Sequence, residues 1–206
     1  HMHRGEVMAG LVEDFAVNDP ARGFLGGYYI ETNAMGLPSA AMLLDPGWWG
    51  RDFTSVIARY DHMAGLYMSG EDMPQSGNRI TLRSDEVDRF GVPVANVHYD
   101  EHPNDQAMRN HGYQRMAAIH RAAGATRCIE TPPYAATHNL GSNRMAARSE
   151  DGVVDGFGRA HELPNLYIAD GSQFASGGAA NPTLTIVALA LRQADHIARR
   201  LAAQEL

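Results

Sequence analysis

Residues 177–201 read GGAANPTLTIVALALRQADHIARRL, and the reading of this run decides how the fold closes. Asn181 is a favourable N-cap, Pro182 supplies the fixed φ suited to a first helical position, and the glycines before them allow a tight approach. A helix is therefore predicted from here. Leu184, Val187, Ala188, Leu191, Ala194, Ile197, Ala198 and Leu201 recur at spacings of three and four, while Arg192, Asp195 and Arg199 fall off that stripe. Ile186, Leu189 and Ala190 make the opening turns apolar on nearly every side, which predicts their burial. Amide N–H groups at the start of a buried helix need partners, either Asn181 and local turns or a ligand with partial negative charge. Composition leaves both open.

The rest of the 206 residues sets limits on function. Net charge is -7, with 17 basic against 24 acidic residues and no basic block, which disfavours nucleic acid and anionic membrane surfaces as partners. Cys128 is the single cysteine, so an intrachain disulfide framework and a multi-cysteine zinc site are excluded, and it reads as a core thiol. No apolar run reaches the length of a membrane span, and the amino terminus lacks a signal-peptide pattern. The opening His-Met reads as a cloning scar or an arbitrary start, so no compartment is assigned.

Working back along the chain, LYIAD (166–170) predicts a short buried strand, Leu166 to Ala169, that delivers Asp170 and Gly171 just before the glycine-rich approach to the last helix. Before it, ATHNLGSNRM (136–145) is a polar turn region around His138. Thr126 to Glu130 is predicted as a strand. HPNDQAMRNHGYQRMAAIHRAAGA (102–125) predicts an amphipathic helix with Met108, Gly112, Met116, Ile119 and Ala123 on one face and Gly124 as its stop. Strands are expected around Arg79 to Leu82 and Ala95 to Tyr99, with RSDEVDRFGVP between them as a loop. Phe53, Val56, Ile57, Tyr60, Met63 and Ala64 predict a helix over 52–68 ended near Gly65, and the run around Phe24 to Thr32 predicts a strand. The expectation is an α+β fold: an antiparallel sheet with helices, followed by a closing strand, loop and helix.

Few residues in this chain carry chemistry by type and spacing. His98, His102 and His111 lie close together, but no carboxylate or cysteine falls at a matching register, so solvated histidines are expected and no metal site. GFGRAH (156–161) lacks the third glycine of a dinucleotide fingerprint. His138 stands apart, because its loop offers no apolar face to bury it; general-base and structural roles are equally open there.

THNLGSNRM, then DGVVDGFGRAHELPNLYIADGSQF, then ANPTLTIVALALRQADHI follow one another in an order and spacing that resembles the C-terminal signature of the glucose-methanol-choline (GMC) family of flavin-dependent oxidoreductases. The match is dense from about Thr137 to Arg200 and looser upstream. The resemblance implies FAD as cofactor and an alcohol or sugar as substrate, the hydroxyl proton going to His138 and the hydride to the flavin. It implies that Asn181 holds the substrate hydroxyl. Asp170, Gly171, Asn181, Pro182 and Thr183 would contact the cofactor, with the helix start aimed at the flavin edge where charge gathers on reduction.

The resemblance also implies a division of the chain: residues 1–160 as substrate-binding domain and 161–206 as the closing strand and helix of an incomplete FAD-binding domain. No strand, Gly-X-Gly-X-X-Gly turn and helix precede these elements, so another segment or chain is the expected partner. A flavin-free module that binds a carbohydrate or a partner chain is the alternative. The two differ in whether the wall around Gly177 to Thr183 is exposed and apolar.

Overall fold

The computed structural model describes residues 8–44, 49–133 and 137–205. The chain forms two compact units that interleave in sequence, one made of His1–Glu71 with Asn104–Ala136, the other of Asp72–Pro103 with Thr137–Leu206.

In the first unit β1 (Leu11–Val12), β2 (Tyr28–Asn33) and β3 (Gly65–Gly70) form an antiparallel sheet in that order. Strand alternation sorts its side chains. Tyr28 and Ile30 join Phe24, Met108 and Met116 in the core, with Val12, Leu66 and Met68 packed against them. The other face carries Tyr29 and Glu31, paired with Ser69 and Tyr67. Helices α1 (Leu37–Leu43), α2 (Gly50–Ile57) and α3 (Pro103–Ala122) complete the unit. Glycine at 112 lets α3 approach the sheet, since a Cβ there would stand 2.3 Å from the sulfur of Met68. The helix closes at Gly124, whose φ of 91° permits bonds from Gly124 N to Arg121 O and from Ala125 N to His120 O.

The second unit contains the hairpin β4 (Arg79–Val87) and β5 (Pro93–His98) and the helix α4 (Thr183–Ala202). Asp88 organises the hairpin turn, its carboxylate accepting from the backbone N–H of Phe90 and Val92. The α+β class and antiparallel pairing agree with expectation.

Several elements do not. The helix predicted over 52–68 stops at Ile57, and Gly65 opens β3, because Leu66 to Ser69 find a paired partner in β2. Residues 83–87, expected as loop, extend β4; Arg83 bridges Asp85 and Glu86 on its exposed surface. Residues 126–130 form no strand, and Leu166 to Ala169 contribute one bridge, Tyr167 with Arg159. Strand propensity without a neighbouring ladder leaves the backbone irregular. Ile119 and Ala123 are exposed, so the buried face of α3 ends at Met116 and Ala117. Cys128 is half-buried, its thiol 3.8 Å from the Ala117 carbonyl.

Candidate active site

The three sequence blocks meet in the second unit at Gly171. A Cβ on Gly171 would stand 2.9 Å from one Leu140 methyl and 3.2 Å from Ile186 of α4; a Cβ on Gly177 would stand 3.1 Å from the other Leu140 methyl. Glycine at both positions lets the His138 loop and the helix pack on one turn. Backbone bonds fasten the loop, Asn143 N donating to Ser172 O at 2.9 Å and Met145 N to Gln173 O at 2.7 Å. Asn143 Nδ2 also lies 3.0 Å from Ser172 Oγ.

Asp170 caps the short turn Gly171–Gln173, its carboxylate accepting from Ser172 N at 2.8 Å. Its bonds with the Ser172 side chain and backbone hold the carboxyl below the usual carboxylate range. Gly171 is buried, whereas Asp170 and His138 are exposed.

The start of α4 departs from the sequence reading. The helix begins at Thr183, Pro182 occupies the cap position with φ −85° and ψ −7°, and no side chain caps it. Asn181 therefore does not act as the N-cap; the proline carbonyl accepts the first helical bond, from Ile186 N at 3.0 Å. Burial of the opening turns is also overturned. Leu184 is 82% exposed and Leu191 67%, with Val187 exposed between them, because this unit covers the helix only from the side of Gly171 and Phe157. Asn181 and Thr183 are exposed as well.

Gln193, buried in the middle of α4, fixes the helix against the chain before it. Its Nε2 donates to Phe157 O and to Ile168 O, both at 2.9 Å. Gly158, at φ 73°, has room for no Cβ, which would stand 2.4 Å from that nitrogen. The Phe157 ring stacks on His196 with centroids 4.0 Å apart and lies under the Arg192 guanidinium. The discounted GFGR segment is thus a turn that anchors α4. Neither Leu140 nor Gln193 is legible as a site residue in sequence, because their value lies in contacts across 25 residues or more.

Among the described residues no group of three His, Cys, Asp or Glu side chains is placed to hold a metal ion, and no helix is long and apolar enough to cross a membrane. His98 is exposed beside Thr81 and Asn96, but His111 is packed among aromatic rings instead of being solvated. An open cleft of about 530 Å³ lies between Arg159, Tyr167, Ile197 and Leu201. It is remote from the helix start, since Ile197 lies about 21 Å along the axis from Thr183 at 1.5 Å per residue.

The loop that carries the exposed His138, the Gly171 turn and helix α4 lie in one unit, linked through Leu140, Gly171 and Ile186. Residues 74–190, more than half the chain, match the family model described as GMC oxidoreductase, and the chain belongs to that family. It is 35% identical over 196 residues to 2-methyl-1,2-propanediol dehydrogenase of Mycolicibacterium austroafricanum, covering 91% of this chain and 35% of that protein. It is 36% identical to the fructose dehydrogenase large subunit of Gluconobacter japonicus, over 69% of this chain and 26% of that one. Paromamine 6'-oxidase of Streptomyces fradiae is 37% identical over 62% of this chain and 24% of its own length. The chain thus spans about a third or less of the length of these curated relatives.

Proposed function

We propose that this chain supplies the substrate side and the closing helix of an FAD-dependent oxidoreductase that oxidises a CH–OH group of an alcohol or sugar. The observation that carries the reading is the start of α4: backbone N–H groups without a side-chain cap beside the exposed Leu184, Val187 and Leu191. That combination suits a flat, partly anionic ring system covered by further polypeptide, and fits FAD. Dehydrogenases and oxidases of a diol and of sugars among the relatives support the same substrate class.

In this reading FAD, when bound, supplies the hydride acceptor. Asp170, Gly171, Pro182 and Thr183 would hold it, through the turn and the free N–H groups of the helix start. An imidazole nitrogen of His138 takes the hydroxyl proton, the usual part of a histidine placed as general base. Asn181 orients the hydroxyl by hydrogen bond, its exposed amide being unused by the helix cap. Residues 1–160 are assigned to substrate binding and 161–206 to closing the FAD site. A further segment or chain covers the apolar stripe. A flavin-free binding module has less support, because its surface would not leave three large aliphatic side chains of one helix face in water.

The test is the visible spectrum of the purified chain with added FAD, alone and with the amino-terminal part of a GMC relative, followed by anaerobic addition of 1,2-diols and sugars. Weak binding alone, and bound flavin that bleaches with one of these substrates in the complemented sample, is the expected result. No flavin binding in either sample would overturn the reading.

A further inference from the structure

The loop that follows His138 is held against the Asp170–Gln173 turn at successive points. Leu140 packs toward Gly171 and Gly177, and the Asn139 carbonyl oxygen would stand 3.7 Å from a Cβ on Gly171. Past Gly141, whose φ of 88° turns the chain, Asn143 N donates to Ser172 O at 2.9 Å and Met145 N to Gln173 O at 2.7 Å. Asn143 engages Ser172 a second time through its side chain, Nδ2 lying 3.0 Å from Oγ, and both residues are half-buried. Ser172 N in turn donates to the Asp170 carboxylate at 2.8 Å.

The backbone bonds of this fastening need no particular side chain. The Asn143–Ser172 bond does, because it requires an amide donor on one segment and a hydroxyl acceptor on the other. Two backbone bonds leave the loop free to pivot about the line that joins them, and a side-chain bond reaching past the backbone opposes that pivot. A general base is sensitive to such a motion, since a misplacement of about 1 Å costs on the order of 10²-fold in rate. Ser172 also serves the turn through its N–H to Asp170. One residue therefore ties the turn assigned to the cofactor to the loop assigned to the base.

We propose that Asn143 and Ser172 are positioning residues: their side-chain bond sets the orientation of the His138 loop on the Asp170–Gly171 turn, and so the reach of the His138 imidazole toward a substrate hydroxyl. Both act through the loop and touch no reacting atom. The inference rests on the reading of His138 as the proton acceptor, and the first arm of its test uses no flavin.

In the full 206-residue chain carrying isotope-labelled histidine, the His138 Cε1–H resonance, assigned with His138→Gln, reports the surroundings of the imidazole. Asn143→Ala and Ser172→Ala should each shift or broaden it while the Met145 amide stays protected from exchange, the sign that the loop is still docked. Ser172→Thr keeps the hydroxyl and should restore the original signal. In the complemented, flavin-loaded sample each alanine variant should slow flavin reduction at saturating substrate by about tenfold, with the half-saturating substrate concentration unchanged. The double variant should be no slower than either single one, as two partners of one bond require. If one alanine variant fails to fold, the other decides together with Ser172→Thr. A His138 resonance unmoved in a folded alanine variant, full-rate reduction in that variant, or losses that multiply in the double variant would overturn the proposal. A wild-type sample whose flavin no substrate bleaches overturns the enzyme reading and this proposal with it, whereas bleaching in wild type with unaffected variants removes only the positioning pair.

Discussion

Tyr28 Oη lies 2.7 Å from His111 Nδ1, joining the most buried residue of β2 to the middle of α3. The imidazole sits edge-on to Phe15 and tilted against Phe24, with Arg115 Nε 3.4 Å from its other nitrogen. With Nε2 accepting from Arg115, the ring proton is on Nδ1 and is donated to the tyrosine oxygen. A second ring proton would point at a guanidinium.

Acid should therefore weaken the first unit. Burial lowers the His111 pKa, and the Arg115 and Arg22 charges lower it further. The unfolded chain takes up the proton near pH 6.5, before the folded one, so this contribution to stability is present above that pH and is lost as pH falls. His120, also lowered by burial, acts in the same direction. Melting curves should show a drop in Tm between about pH 7.5 and 5 that shrinks in His111→Gln. An unchanged drop would remove His111 as its source.

At the alkaline end Tyr28 provides the counterpart. Burial pushes its pKa up to about 12. The unfolded chain loses this proton near pH 10 while the folded chain keeps it, so stability should fall as pH rises beyond about 10. Tyr28→Phe should flatten that limb, read by urea midpoints across the range.

Substituting Gly27→Ala should be severely destabilising. The added Cβ would stand 2.1 Å from the backbone oxygen of Ala16, where no side chain can move aside. A loss above about 3 kcal/mol is expected from chemical unfolding, in the range of strain and overpacking effects.

Gln193→Leu should loosen α4 without touching its apolar stripe. Two buried carbonyls, of Phe157 and Ile168, lose their donor. The expected cost is about 2–4 kcal/mol, with faster amide exchange at the first turns of α4. By contrast, Leu184→Asp should change the stability of the isolated chain by less than about 0.5 kcal/mol, because Leu184 is exposed there. It should nevertheless abolish flavin binding in the complemented sample.

For the chemistry itself, His138→Ala in a flavin-complete form should slow flavin reduction by roughly 10²-fold or more, the scale of losing a general base. Stopped-flow bleaching measures it. An unchanged rate would take His138 out of that role.

What the sequence by itself determined is what local chemistry dictates. The α3 stop at Gly124, the strand around Tyr28 to Thr32 and the ordered blocks around His138, Asp170 and Asn181 depend on neighbours a few residues away. Family membership was legible for the same reason, being carried by short blocks in fixed order. Only the tertiary structure decided where long-range pairing wins. Residues 65–70 became a strand because β2 offers a ladder, and 126–130 did not because none is offered. It also decided that Leu184 and Leu191 are exposed, that Leu140 packs against Gly171 and Gly177, and that Glu31 is buried. Burial is a property of what packs opposite, and hydrophobic spacing records only which side asks to be covered.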